Sequence, residues 1–301
     1  MIRHLGYACK NITLGNKVLT DRTLREARVT LERVDDLALK NSQDLITIMQ
    51  WNADNGIKFF RIGSGLFPFM DHPKQYYKFE DLKNWPLIAA NIAVAGKIAA
   101  DNGIRLSCHP GPYTCLASPD NLTVIKSVKT IEMHAMLGKM LCLPTDDFVI
   151  NFHMGGVYGD KRETAKRFIN NLNTLLTDWE RKHITVENDD KASMWSISDL
   201  VEYGIGNKVR LVLDVHHHRF CNRESLHDAA DMAFETWPMD QVPKIHYSES
   251  AEGKKPQAHS DYIFDQIPND LHSRDYDVMI EAKAKELALQ AYQRKYQLLH
   301  S

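Results

Sequence analysis

Eight short apolar runs, spaced along the whole chain and separated by longer amphipathic segments, constrain what this sequence can fold into more than any other feature. Such alternation is the signature of βαβ units and a parallel sheet. The runs read as strands at Arg3–Ala8, Ile57–Ile62, Ile104–Cys108, Phe148–Phe152, His183–Val186, Val209–Leu213, Pro243–Ile245 and Tyr276–Ile280. Helices are predicted from Thr23 to about Asn55, from Leu87 to Asn102 with Gly103 as the stop, from Asn121 to Cys142, and from Ala282 nearly to the end. The link between the seventh and eighth strands is rich in Gly, Pro, Ser and Lys and reads as irregular. Eight strands with a helix after most of them predict an α/β fold, a single (β/α)8 TIM barrel forming one domain over residues 1–301.

What stands at the end of each run matters next. The third strand runs into His109 and the fourth into His153. The fifth ends at Glu187, followed by Asn188-Asp189-Asp190. The sixth ends at Asp214, followed by His216-His217-His218. The seventh carries His246, and the eighth ends at Glu281. In a closed barrel these carboxyl ends meet at one mouth, where such folds place their chemistry. Imidazoles and carboxylates crowded there are tolerable when cations sit among them. Mixed His and carboxylate sets suit Zn²⁺, Mn²⁺ or Fe²⁺. The candidates are His109, His153, Glu187, Asp214, His217, His246, His259 and Glu281, too many for one ion and suited to two or three. Multi-metal sites of this kind favour hydrolysis of phosphate esters.

Taken singly, each residue has a plainer reading. A lone histidine at a strand end is more often a hydrogen-bonded structural residue than a ligand. Glu187 alone would serve as a helix cap, Asp214 as a turn residue, and His216 to His218 as a solvated loop. His134, His183, His227, His272 and His300 lie in helices or away from the strand ends and read as structural. Agreement of six consecutive strands in register favours metal.

Composition narrows the setting. The net charge of −2 argues mildly against a protein that coats nucleic acid, though not against one that binds DNA on one face. Five scattered cysteines without a Cys-x-x-Cys pair read as reduced thiols and disfavour a thiolate zinc site. The amino-terminal segment lacks the pattern of a secretory signal, and no run is long and apolar enough to span a membrane. A cytoplasmic monomer with no obligate protein partner is expected. Gly155-Gly156 would let a backbone approach a phosphate. Lys161, Arg162, Lys166, Arg167, Lys254 and Lys255 read singly as solvated charges and as a cluster could meet a nucleic-acid backbone; Tyr7 and Asn11 leave the first strand toward the same mouth and Tyr113 follows His109 by four residues, each tyrosine fitting a core or hydroxyl-bonded role as well as a stacking one.

The strings Leu5-Gly6-Tyr7 with Asn11, Phe60-Arg61-Ile62 with Pro68 and His72-Pro73, His109-Pro110-Gly111-x-Tyr113, His153-x-Gly155-Gly156, Glu187-Asn188-Asp189-Asp190, Asp214-x-x-His217-His218, Lys244-Ile245-His246, Ala258-His259 and Met279-x-Glu281-Ala282-Lys283 follow one another in order. Together, over nearly the whole chain, they resemble the UV damage endonuclease (UV dimer endonuclease) family. The resemblance implies a DNA-repair nuclease that cuts damaged double-stranded DNA immediately 5′ to cyclobutane dimers, 6-4 photoproducts and abasic sites. It implies two or three divalent ions, with Mn²⁺ favoured and Zn²⁺ or Mg²⁺ as alternatives, and an ion-activated hydroxide as the attacking group. It assigns His109, His153, Glu187, Asp214, His217, His246, His259 and Glu281 as ligands, with Glu187 bridging two ions. It adds His72 as an active-site histidine, Lys244 as a lysine carried in carboxylated form, and Tyr7, Asn11 and Tyr113 as lesion-contacting residues. One departure stands out: Pro112 occupies the position where the family carries Gln beside the probing Tyr, which leaves lesion preference open. The spacing from Asp214 favours His217 over its neighbours. Two rivals remain on the same scaffold, a metal-dependent sugar isomerase or epimerase and a non-catalytic damage-binding protein.

Overall fold

The computed structural model describes residues 1–70, 72, 77–143 and 148–297. Eight strands close into a barrel in chain order: β1 Ile2–Ala8, β2 Phe59–Ile62, β3 Arg105–Cys108, β4 Phe148–His153, β5 Ile184–Glu187, β6 Arg210–Asp214, β7 Lys244–Tyr247 and β8 Tyr276–Ile280. Every neighbouring pair is parallel, including β1 with β8, so no edge is left open. The helices are α1 Leu31–Asp54, α2 Trp85–Asp101, α3 Asn121–Leu141, α4 Lys161–Leu175, α5 Asp178–His183, α6 Ile197–Glu202, α7 Val215–His218, α8 Leu226–Glu235 and α9 Lys285–Gln297.

Side chains alternate along each strand, as the pleat requires. Phe60, Ile62, Leu106, Ile150, Phe152, Val186, Leu211, Leu213, Ile245, Val278 and Ile280 join the large core shared with the helices. The intervening residues point into the barrel. There Ala8, Phe59 and Met279 form one small cluster, and Val149, Val212 and Trp237 form another. Gly6 makes the first cluster possible. A β-carbon on it would lie 2.3 Å from the carbonyl oxygen of Phe59 and 2.6 Å from the Phe59 β-carbon, so no larger residue fits. The same inward rows carry Arg61, Arg105, Asn151, Glu187, Asp214, Lys244, His246 and Asp277, all buried. Deep in the barrel, Arg105 and Arg3 both bind the Asp277 carboxylate, at 2.8 and 2.6 Å.

Several bounds shift by a few residues from the sequence reading, and three differences bear on the site or its support. The first long helix starts at Leu31 rather than Thr23. Thr30 caps it, accepting from the Arg33 N–H, and the stretch before it holds a single 3-10 turn at Glu26–Arg28. His183 ends α5 rather than opening the fifth strand. Its ring stacks on Trp179 at 3.6 Å and donates to the Trp179 carbonyl at 2.7 Å. His216 to His218 form the short helix α7, capped by Asp214, rather than a solvated loop; His216 and His218 are buried. Gly103, at φ +60°, follows the end of α2 as expected. The stretch between β7 and β8 carries no helix. It forms a small hairpin in which Ser250 bridges His259, with Lys254 and Lys255 at its exposed tip.

Candidate metal centre

Parallel register sets His153 beside Glu187 between β4 and β5, and Asp214 beside His246 between β6 and β7. Glu187, only 1% exposed, is the hub. Its Oε1 lies 2.8 Å from His109 Nε2 and 2.7 Å from His153 Nε2, and its Oε2 lies 2.6 Å from His246 Nδ1. His246 Nδ1 is also 3.1 Å from Glu281 Oε1 and 3.9 Å from Asp214 Oδ2. Two ligand trios result, His109–His153–Glu187 and Glu187–Asp214–His246, each with its donor atoms within 4.8 Å of one another. Glu187 belongs to both.

Tautomers follow from the outer partners. Both ring nitrogens of His109 face groups that can only accept, Nδ1 the Pro110 carbonyl at 2.9 Å and Nε2 Glu187 at 2.8 Å, so with an ion at Nε2 the one proton of the neutral ring belongs on Nδ1. His217 does the same toward the Asn188 carbonyl at 3.0 Å. In the neutral ring each Nε2 is then a free lone pair, the form a metal ligand needs. Buried His246 has neither ring nitrogen aligned for a hydrogen bond, and Asp214 Oδ2, His153 Nδ1 and His259 Nδ1 are buried without a hydrogen-bond partner. Orphaned buried atoms of ligating type, aimed together, fit divalent ions.

Electrostatics agrees. Burial works against charge on Glu187, but the rings of His153, His246 and His109 outweigh it and hold the carboxyl well below its usual range. Burial likewise opposes protonation of His153, His217 and His246. Glu187 leads the opposing pull on His153 and His246, and Asp214 on His217, and all three rings end above their ordinary value. The pocket therefore demands positive charge, either as protons or as ions.

His217 is the member of its triplet that faces the cluster. Its ring lies 5.4 Å from that of His153, whereas His216 meets the Gln257 carbonyl and His218 approaches Glu224. His259, on the β7–β8 hairpin, sits 6.3 Å from His217 by ring centroid. Neither His217 nor His259 belongs to the two trios. His72 is half-buried and packs edge-on to Phe69 at 5.4 Å; Pro73 beside it lies outside the described residues. Lys244 lies inside the barrel, fully buried, with its amine unpartnered. Burial pushes that amine well below the usual lysine range, and Arg105 and Arg61 add to the effect.

The residues expected to meet DNA divide into two groups. Tyr113 is 88% exposed and Pro112 is exposed beside it. Tyr7 and Asn11 are buried instead. Tyr7 points into the helix layer and donates to Asn52 Oδ1 at 2.8 Å, and Asn11 Nδ2 donates to the Tyr7 hydroxyl at 2.9 Å. Neither presents a surface to a lesion in this conformation. Of the basic residues, Lys161 is tied to Asp199, Lys166 to Glu163, and Arg167 to the Ala117 carbonyl and Thr164. Arg162, Lys254 and Lys255 are exposed. Gly155, at φ +83°, packs so closely on Cys115 that a β-carbon would lie 2.8 Å from the sulfur.

Asn151 escaped the sequence reading, and Asn188 and Asp189 were quoted there without a role. Asn151 donates to Glu187 Oε2 at 2.8 Å and accepts from Thr185. Asn188 brackets the Asp214 backbone through both its amide atoms. Asp189 Oδ1 lies 3.1 Å from His153 Nδ1. Asn151 carried a signal: a polar residue inside an apolar run, two positions before His153 and so on the same face.

Residues 3–300 match the family described as UV-endonuclease UvdE. The chain belongs to this family. A UV-damage endonuclease of Schizosaccharomyces pombe is 35% identical over 315 residues, covering 98% of this chain. The chain spans about half the length of that relative, 51%. The solved structure of SacUVDE superposes with a TM-score of 0.85 at 29% identity, covering 99% of both chains. A D-psicose 3-epimerase from Clostridium cellulolyticum H10, at 16% identity and TM-score 0.52 over 79% of this chain, shares the barrel alone. Within the UvdE family, then, this chain has a closed parallel barrel whose ligand-type residues gather on one face. Among the described residues no helix is long and apolar enough to cross a membrane.

Proposed function

We propose that this UvdE-family chain is a metal-dependent DNA endonuclease that cuts the phosphodiester bond immediately 5′ to cyclobutane dimers, 6-4 photoproducts and abasic sites. The observation that carries the reading is the shared Glu187, one carboxylate common to two ligand trios. Names of the relatives support DNA as the substrate, and the donor set supports two or three ions, Mn²⁺ before Zn²⁺ or Mg²⁺. His109 and His153 would hold one ion with Glu187, and Asp214 and His246 a second. His217, His259 and Glu281 would complete the set. Ions bound there would supply Lewis acidity toward a phosphate ester and a water nucleophile near neutral pH.

The chain's own groups do the rest. Outer carbonyls fix the His109 and His217 tautomers so that their free nitrogens face inward. Asn151 steadies Glu187. Tyr113 and Pro112 stand exposed on the loop after His109, where an aromatic ring can lodge against a weakly stacked base. Lesions that weaken stacking lower the cost of kinking the duplex, so one enzyme can accept chemically unlike damage. The exposed Lys254 and Lys255 suit contacts to the DNA backbone. Lys244 would act in carboxylated form: its uncharged buried amine would add to CO₂ with loss of one N–H proton to water, and the carbamate would set its carboxylate among Arg61 and Arg105. His72 is assigned to the active site by resemblance. We place the protein on nucleoid DNA in the cytoplasm, acting as a monomer.

The test is nicking of UV-irradiated supercoiled plasmid. Mn²⁺-dependent conversion to open circles, abolished by EDTA and by Glu187→Ala, is expected. Nicking that is indifferent to Mn²⁺ and EDTA, or damage-dependent mobility shifts without nicking, would overturn the reading.

A further inference from the structure

We propose that Arg61 is a positioning residue for Glu281, fixing that carboxylate against His246 so that it can serve an ion. The inference deepens the reading above and rests on Glu281 being a ligand. Arg61 stands on the inward row of β2, and Glu281 follows β8. These strands are not neighbours; β1 lies between them. Across that gap the register sets Ala8 beside Arg61 and Tyr7 beside Ile280. Ala8 points inward with only a methyl group, so the long arginine passes over it. Its Nη1 donates to Glu281 Oε1 at 2.5 Å, and the same oxygen lies 3.1 Å from His246 Nδ1. On the other side, the Glu281 backbone N–H donates to the Tyr247 carbonyl at 2.9 Å. The residue is thus held from two directions, its backbone by β7 and its side chain by β2.

Each central carboxylate has a holder outside the ligand set. Asn151 holds the side chain of Glu187, and Asn188 holds the backbone of Asp214. For Glu281 the holder is a cation, and the pair is largely shielded, with side chains 10% and 15% exposed. Two opposite effects on an ion follow. As a charge, Arg61 repels a nearby dication, so its removal would tighten binding. As a clamp, it orders the ligand, and loss of such an outer partner commonly weakens affinity about 10–100-fold. A charge-assisted bond made across an intervening strand, with the backbone pinned as well, favours the clamp.

The test is a Mn²⁺ binding isotherm, by calorimetry and by electron paramagnetic resonance of free Mn²⁺, on wild type, Arg61→Met, Glu281→Gln and the double variant. Arg61→Met is expected to weaken one class of ion about 10–100-fold while leaving the remaining ions bound. In the Glu281→Gln background the same change is expected to do nothing further, because a residue acting through Glu281 has nothing left to act on. Tighter or unchanged binding in Arg61→Met, or full additivity in the double variant, overturns the inference while leaving Glu281 a ligand. A Glu281→Gln isotherm equal to wild type removes both. Circular dichroism monitors folding. If Arg61→Met does not fold, Arg61→Lys keeps the buried charge, shortens the reach to Glu281 and is expected to weaken the same class of ion; tighter or unchanged binding there overturns the inference equally.

Discussion

His109 Nε2 lies 2.8 Å from Glu187 Oε1 while its Nδ1 faces the Pro110 carbonyl at 2.9 Å, and a neutral ring has one proton for these two acceptors. A lone pair facing a carboxylate oxygen at that distance is repulsive unless a cation lies in or beside the contact. The same need recurs at His246, whose Nδ1 is 2.6 Å from Glu187. Burial pushes the His109 ring below its ordinary value, so an ion meets that need better than a proton.

This competition has a sign. His153, His217 and His246 titrate above 6.5 in the fold without ions. A raised value in the folded state contributes stability that is fully present below the unfolded value of about 6.5 and is lost as pH rises through the folded value. Ion binding displaces those protons. The rise in Tm produced by a fixed Mn²⁺ concentration should therefore grow between pH 6 and pH 8. A shift that shrinks or stays flat over that range would contradict the proton–metal exchange.

Tyr7 and Tyr113 should separate cleanly. Tyr7→Phe removes the donor to a buried Asn52 oxygen and should cost about 1–3 kcal/mol of stability. Tyr113→Ala removes an exposed ring and should leave denaturant stability within about 0.5 kcal/mol while weakening binding to lesion-bearing DNA. Chemical denaturation and a DNA mobility-shift titration check both. A stable Tyr7→Phe, or a destabilised Tyr113→Ala, would count against this division.

Lys244 should take up CO₂. Wild-type protein in ¹³C-bicarbonate is expected to give a carbamate carbon resonance that Lys244→Met lacks. Acidification should erase it, because protonation of the amine removes the nucleophile. The absence of a signal in wild type loaded with diamagnetic Zn²⁺ or Mg²⁺ would refute carboxylation.

Pro112 should set lesion preference rather than rate. It has no side-chain amide to offer the DNA and it stiffens the loop. Pro112→Gln should change the ratio of cutting at cyclobutane dimers to cutting at 6-4 photoproducts more than it changes cutting at abasic sites. Equal effects on all three substrates in a defined-lesion oligonucleotide assay would exclude that role.

The barrel was legible because its strands are buried on both faces, which makes them continuous apolar runs, and because residues of ligating type recur at their carboxyl ends. The pool of ligands was legible for the same reason, while its division into trios came from the parallel register that sets His153 beside Glu187 and Asp214 beside His246. Tyr7 misled because a tyrosine near a strand end looks alike whether it turns outward to the helices or upward to the mouth. Only the pleat decides, and Gly6 takes the inward place. Arg61 was quoted in a motif without a role, since its partner Glu281 lies 220 positions away and two strands across. Asn188 acts through its side chain on the backbone of Asp214, a pairing between strand ends that sequence does not reveal. The early start assigned to the first helix came from polar residues before Thr30 that resemble a helix in composition but not in capping.

The central claim is that Glu187 joins two ion sites. Counting Mn²⁺ per chain by mass spectrometry, after saturation and removal of free ion, tests it most directly. Two or three ions are expected in wild type, and Glu187→Ala should lose at least two of those sites in a protein that still folds. A wild-type count of one or none, or a Glu187→Ala count equal to wild type, would contradict it.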